Sequence, residues 1–438
     1  MKTFSKGIHP FYNKELTSGL NIEKIPLSPK LVIPVLQHLG SPSEVIVKKG
    51  DDVIIGQLIA KSSGFVSANI HSPVFGKIAK INPKPIVGGR MASHIEIDVD
   101  IEKTKNYVWE KQNVDLSKMT SEEILTKIKE AGIVGLGGAT FPTHIKYTQP
   151  KDKIIDTLVI NGAECEPYLT CDHRLMIEKA DEILKATEIV SKLLPLKSII
   201  IGIEANKQDA ISAFTKILKN YDLPIEVIPL KVKYPQGAEK MLIHATTKRV
   251  VPSGKLPLDV GVVVSNVGTL FAIYEAIYFN KPLIERVVTI SGDIVKKGGN
   301  FLVPIGTPIE HILSQVEVDI NKAYKVIFGG PMMGVAVPSL DYSITKGTSG
   351  ILFFSEKLAK TSEETPCIKC GNCMKACPMN LMPNRLAAFS KAKKWDVIKD
   401  NNLYDCMECG SCAFVCPAKI DIVGWIRYAK NYIKSKNL

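Results

Sequence analysis

The sequence predicts a multidomain fold of α/β plus β type, and three observations predict it. At 438 residues the chain is too long for one compact core, so several domains follow from length alone. Apolar strands alternate with helices from Thr120 to Phe279, the order expected of a doubly wound sheet. Short strands with glycine turns fill Val45 to Ile81, and eight of the ten cysteines fall in the last third of the chain.

Composition narrows the class. Hydrophobic residues at 45% and charged residues at 23% are ordinary globular values. The most apolar stretch, Val260 to Phe279, is interrupted by Ser265, Asn266, Gly268 and Glu275, so no transmembrane segment is expected. Met1 to Pro10 carries lysines without an apolar run or a small-residue cleavage site, which predicts a cytoplasmic location. The formal charge of +12 suits an acidic partner or an anionic lipid surface, or serves solubility alone. No basic run is interleaved with aromatics, so no nucleic-acid partner is expected.

The first domain is expected over residues 1–112. Its segments Lys49 to Gln57 and Asn69 to Lys77 look like the barrel-sandwich fold of lipoyl and biotinyl carriers. A carrier needs its modified lysine among Met, acidic and small residues at a hairpin tip. Here the tip runs from Lys61 to Val66, so Lys61 reads as a surface lysine and the module as structural or an interaction surface.

The second domain is expected over residues 113–282. Thr120 and Glu123 form a capping box ahead of a helix over Ile124 to Ala131. Strands are predicted at Thr157 to Ile160, Ser198 to Ile203, Ile225 to Pro229 and Gly261 to Val264, with helices at Arg174 to Leu194 and Lys207 to Lys219. Gly135 to Lys146 is a glycine-rich loop followed by a lysine, suited to a phosphate or to a plain structural turn. Asn161 to Pro167 follows the first strand, where open α/β sheets bind ligands; Glu164 and Glu166 there suit a ribityl chain or a ribose, or a solvated acidic turn. Cys165 and Cys171 lack ligand spacing and read as buried, inert thiols.

The third domain, residues 283–356, reads as strand, turn, strand, helix, strand: Val287 to Gly292, Asn300 to Pro304, Pro308 to Leu313 and Lys325 to Gly330. It is expected to be a scaffold.

The fourth domain, residues 357–438, holds the cysteine octet. Cys367, Cys370, Cys373 and Cys377 precede Pro378 in a C-x2-C-x2-C-x3-C-P run, and Cys406, Cys409, Cys412 and Cys416 precede Pro417 in a second. In this spacing three thiolates from one loop and a fourth from the other run hold each cubane, which predicts two [4Fe-4S] clusters. Crossed ligation assigns Cys367, Cys370, Cys373 and Cys416 to one cluster and Cys406, Cys409, Cys412 and Cys377 to the other. Four-cysteine zinc sites also use C-x2-C pairs, but not this doubled pattern with both prolines. Helices are predicted over Asn384 to Ala392 and Lys394 to Asn401, making the module mainly helical and a wire for single electrons.

Gly135 to Lys146, Asn161 to Pro167, Tyr234 to Glu239 and Val264 to Leu270 resemble, in order, the motifs of the NADH-oxidising flavoprotein subunit of respiratory complex I. That resemblance implies FMN held by Gly135, Gly137, Gly138, Lys146, Asn161, Glu164, Tyr234, Gly237 and Asn266, with NAD(H) near Phe141, Glu166 and Glu239 as the catalytic group. Leu136 stands where that family has arginine, and Ala163 where it has aspartate. The third domain resembles the soluble-ligand-binding β-grasp (SLBB) module of the same flavoprotein. The order of all four domains, with Gly329 to Gly334 and Cys377 to Pro383, resembles the RnfC family of the Rnf complex, an ion-translocating ferredoxin:NAD oxidoreductase.

The resemblance implies a peripheral protein at the cytoplasmic face of the prokaryotic cell membrane. Its partners would be the other Rnf subunits, including the iron-sulfur B subunit, with ferredoxin reached indirectly. A soluble FMN and iron-sulfur cobalamin reductase is the competing enzyme reading, and a non-catalytic iron-sulfur relay or scaffold the competing reading of another class.

Overall fold

The computed structural model describes residues 1–150 and 152–436. The last two residues of the range expected for the cysteine domain lie outside the described residues, as does Lys151 within the second domain.

The barrel-sandwich pairs two small sheets. One orders Lys30–Pro34, Met91–Val99, Gly76–Pro85 and Asp52–Val53 antiparallel; the other orders Glu44–Val45, Leu58–Lys61 and Ile70–His71. Alternating side chains from both, among them Leu31, Ile33, Ile59, Ile70, Ile95 and Ile97, fill one core with no solvent contact beyond 1%.

Residues 1–25 pack outside that barrel, whose strands begin at Lys30 rather than at the start of the expected 1–112 range. Lys2 bridges to Leu230 and Ile8 to Tyr234, while Ile22–Lys24 adds a parallel strand to Gly299–Pro304 in the third domain. The segment is a strap laid across the second domain. Strands of two or three residues carry too little periodicity to be seen in sequence.

The second domain has a four-stranded parallel sheet ordered Ile225–Leu230, Ser198–Glu204, Thr157–Gly162, Val262–Asn266. Alternation along the strands serves two cores: Leu158 and Ile160 face the helices Ala180–Ser191 and Val267–Phe279, whereas Val159 and Ile200 face Glu239–Thr247. Helices therefore cover both faces, as a buried parallel sheet requires. The predicted capping box is present, with Thr120 Oγ1 accepting from Glu123 N at 3.2 Å and Glu123 Oε2 accepting from Thr120 N at 2.8 Å. The single helix expected over Arg174 to Leu194 is two, Cys171–Glu178 and Ala180–Ser191, broken at Lys179. On the first of them, the Arg174 guanidinium donates to Ser18 O and Asn21 Oδ1, tying that helix to the strap.

The third domain is a six-stranded mixed sheet ordered Ile22–Lys24, Gly299–Pro304, Glu285–Ser291, Gly350–Ser355, Ala323–Phe328, Val335–Val337. The cysteine domain is helical, with no strand among its described residues. Pro383–Lys391, Trp395–Asp400 and Ile422–Lys436 pack around Leu386, Ile398, Ile426 and Ile433. The long closing helix Ile422–Lys436 is an addition to the elements expected from the sequence. No described helix is long and apolar enough to cross a membrane.

Candidate functional site: a nucleotide crevice beside two cysteine cavities

The strand order reverses between Thr157–Gly162 and Val262–Asn266, and Asn161 and Asn266 are register partners at the carboxyl ends of those strands. Ligands of open α/β sheets occupy the crevice at this switch point. Asn161 Nδ2 donates to Gly237 O at 2.9 Å, and its Oδ1 accepts from Ala163 N at 3.1 Å. Asn266 caps the helix Val267–Phe279, its Oδ1 accepting from Gly268 N at 2.8 Å, while its Nδ2 donates to Asp172 Oδ2 at 2.6 Å.

The glycine loop folds over this pair. Gly135 N donates to Phe141 O at 2.8 Å and Thr140 N to Gly135 O at 3.1 Å, closing the loop on itself. A side chain at Gly137 would meet Asn266 Cβ at 3.4 Å, and one at Gly237 would meet Cys165 Sγ at 3.3 Å. Gly138 takes a φ of +110° with open space beside it. Two glycines thus lie against the asparagines, and a third, in a left-handed conformation that favours glycine, faces open space, so backbone can approach a ligand closely here. These residues fit FMN.

Leu136 marks a structural departure rather than a lost contact. Its side chain is buried, its N donates to Thr269 Oγ1 at 2.9 Å, and its carbonyl accepts from Arg286 of the third domain at 2.9 Å. A guanidinium still anchors the loop, but from another domain. Ala163, also buried, gives its carbonyl to Lys207 Nζ at 2.7 Å.

The structure brings Lys146 and Glu239 together at 2.9 Å on the open side of the crevice. Glu164 and Glu166 are instead turned onto backbone amides. Glu164 accepts from Asp172 N at 2.7 Å and His173 N at 3.3 Å, capping the helix Cys171–Glu178, with buried Lys14 at 3.9 Å. Burial pushes its carboxyl up and the Lys14 ammonium down. Glu166 accepts from Met332 N at 3.0 Å and Met333 N at 2.9 Å, and burial raises its carboxyl to about 7. Both carboxylates accept from backbone amides inside the protein, and that of Glu166 also lies against the Tyr234 hydroxyl. Cys165 and Cys171 are buried, and burial raises both thiols well above their usual range.

Tyr234 lies at the seam with the fourth domain. Fully buried, it donates from its hydroxyl to the carbonyl of Cys409 at 2.7 Å. That bond joins the second domain to the fourth, where the cysteines line two cavities. One, with about 20 Å³ of free space, is lined by Cys377, Cys406, Cys409 and Cys412. The other, of about 440 Å³, is lined by Cys367, Cys370, Cys373 and Cys416. Each therefore takes three thiols from one run and one from the other. Three thiols from one run joined by one from the other is the donor set of a two-cubane module and fits [4Fe-4S] clusters.

The smaller cavity is the inner one. Tyr234, Ile8, Cys165 and Met332 pack against Cys409. Lys430 and Arg427 from Ile422–Lys436 both bind Glu408, between two cysteines, at 2.8 and 2.9 Å. Cys367 and Cys370, by contrast, are exposed, so the larger cavity opens to the surface. No local pattern marks this polarity, nor the buried Lys14 and Lys346, because both depend on which domain packs where.

Residues 128–275 match the family described as the Nuo51 FMN-binding domain, residues 2–102 the RnfC barrel sandwich hybrid domain, and residues 366–420 a 4Fe-4S dicluster domain. The chain is 46% identical over 434 residues to the C subunit of the proton-translocating ferredoxin:NAD(+) oxidoreductase complex of Clostridium ljungdahlii, covering 98% of this chain and 94% of that one. It is 44% identical to the C subunit of the Na(+)-translocating ferredoxin:NAD(+) oxidoreductase complex of Acetobacterium woodii, covering 98% and 97%. The C subunit of the ion-translocating oxidoreductase complex of Haemophilus influenzae is 41% identical, and the match spans 52% of that longer chain. Among solved structures, an NAD+-reducing [NiFe]-hydrogenase chain superposes with a TM-score of 0.51 at 17% identity, over 67% of this chain and 60% of that one, a likeness of fold alone.

Proposed function

The chain belongs to the RnfC family of ion-translocating oxidoreductase subunits, and from that premise we propose that it passes electrons between iron-sulfur centres and NAD(H) through FMN. The observation that carries the reading is the join between the two sites: Gly237, bonded to Asn161 in the crevice, lies three residues from Tyr234, whose hydroxyl donates to Cys409 O beside the inner cysteine cavity. FMN, when bound, exchanges a hydride with nicotinamide and single electrons with iron-sulfur centres, which is the conversion such a join needs.

In this reading the chain's residues divide the work. Gly135, Gly137 and Gly138 admit the flavin ring and phosphate, and Lys146 neutralises the phosphate. Asn161, Gly237 and Asn266 shape the floor of the crevice. Phe141 and Glu239, on its open side, meet the nicotinamide nucleotide. Cys377, Cys406, Cys409 and Cys412 hold the inner [4Fe-4S] cluster, and Cys367, Cys370, Cys373 and Cys416 the outer one. The exposed outer site receives electrons from a partner, the iron-sulfur B subunit of the complex, itself fed by ferredoxin. The chain sits peripherally at the cytoplasmic face and leaves ion movement to other members of the complex, in keeping with described helices that are too short or too polar to cross a membrane. The named relatives differ in the ion, one proton and one sodium.

The test is a metal and flavin count on anaerobically purified protein, with visible and EPR spectra. About eight irons per chain, one FMN and two interacting cluster signals are expected. Zinc in place of iron, or clusters without flavin, would sink the reading, the latter in favour of a bare relay.

A further inference from the structure

A bonded route between the nucleotide crevice and the inner cysteine cavity runs along one loop and out through one side chain. Gly237 lines the crevice, its carbonyl bonded to Asn161 and its N–H to Cys165 Sγ at 3.2 Å. Three residues earlier in the same loop, Tyr234 sends its ring into the seam between the second and fourth domains. It is fully buried there, and its hydroxyl donates to the carbonyl of Cys409 at 2.7 Å. Cys409 is one of the four thiols of the inner cavity, and its own Sγ lies 3.4 Å from Ser411 Oγ.

The seam is built to hold that bond. Ile8 pairs with Tyr234 in an antiparallel bridge, and Gly7 N donates to Ala376 O at 3.2 Å, tying the strap to both sides. Glu166, whose carboxyl also lies against the Tyr234 hydroxyl, fixes the amides of Met332 and Met333, and a side chain at Gly410 would meet Met332 O at 2.8 Å. A tyrosine used only for packing has no need to place its hydroxyl on the backbone of a ligand residue, since a phenylalanine fills the same space.

We propose that Tyr234 is a positioning residue for electron transfer, its hydroxyl on Cys409 O setting the contact between the flavin crevice and the inner cluster. This rests on the function proposed above. The step it serves balances simply: two reduced clusters give one electron each, and with one proton they convert NAD+ to NADH. No other reductant is required.

The experiment uses the full chain, anaerobic and loaded, as wild type and Tyr234→Phe. Clusters are reduced chemically, freed of reductant and mixed with excess NAD+, and their absorbance recovery is followed. Tyr234→Phe should keep wild-type iron and flavin contents, slow cluster reoxidation several-fold and shift the EPR line shape of the inner cluster. Unchanged rate and line shape would overturn the proposal. So would loss of iron or flavin in the variant, which would make the residue purely structural. Failure of the wild type to reoxidise with NAD+ would overturn the functional reading instead, and is told apart by occurring in both proteins.

Discussion

Lys146 Nζ and Glu239 Oε1 meet at 2.9 Å across the mouth of the crevice, one at the end of the glycine loop and the other opening the helix Glu239–Thr247. Both side chains stay partly exposed, so the pair itself contributes little to stability. Its importance is chemical: an anion entering the crevice finds a lysine already oriented there. If Lys146 holds the flavin phosphate as proposed, Lys146→Met removes a charge-assisted bond of about 1.5–3 kcal/mol and should weaken FMN binding roughly tenfold to a hundredfold. Iron content should not change. Fluorescence of flavin released on denaturation checks it, and full occupancy would show that the phosphate lies elsewhere.

Glu164 should behave differently. Its carboxylate caps two amides of Cys171–Glu178 and sits against Lys14, so Glu164→Ala orphans buried donors rather than emptying a ligand site. A loss of about 1–3 kcal/mol in unfolding free energy is expected, with flavin lost only in proportion to unfolding. Denaturant titration beside flavin retention separates the two effects; flavin loss from fully folded protein would restore the direct contact.

The cavities predict an exchange between the cysteine runs. Cys416 belongs to the second run but lines the exposed cavity with Cys367, Cys370 and Cys373, and Cys377 belongs to the first but lines the inner one. Cys416→Ser should therefore disturb the outer cluster and Cys377→Ser the inner. Because Tyr234 bonds to the inner site, Cys416→Ser should keep electron exchange between flavin and the remaining cluster, whereas Cys377→Ser abolishes it. EPR of each variant after chemical reduction decides the matter, and the opposite assignment would exclude crossed ligation.

Much of this was legible in the chain. The four strands of the flavin domain and the helices Pro383–Lys391 and Trp395–Asp400 begin and end within a few residues of their predicted places, because alternation and helical spacing are local properties. The cysteine spacing likewise encodes its own geometry. What the chain hides is long-range. An acidic turn past a strand is where ligands bind, but only packing shows that Glu164 also accepts from a helix start and Glu166 from the Met332 loop. Residues 1–25 show no local pattern of their own, since their partners lie at Leu230, Tyr234 and Asn300.

The last prediction concerns the junction of the first three domains. Lys346, from the third, is fully buried and donates to Asn69 O in the first and Gly132 O in the second, both at 2.6 Å. Burial lowers its ammonium from 10.5 to about 7. The neighbouring His38 and His71 are held neutral, near 4 and 3, by burial first and by Lys346 second, so they do not titrate above pH 7. Arg286 donates to the Lys346 and Leu136 carbonyls. Since the folded value lies below the unfolded one, the folded state binds fewer protons between pH 7 and 10.5. Stability from this group therefore rises with pH through that window and is lost as pH falls toward 7, by at most about 1.4 kcal/mol per unit. Lys346→Met should flatten the dependence of melting temperature on pH between about 7 and 9 while lowering it overall, because two buried carbonyls lose their donor. Equal slopes in wild type and variant would show that the ammonium keeps its proton throughout.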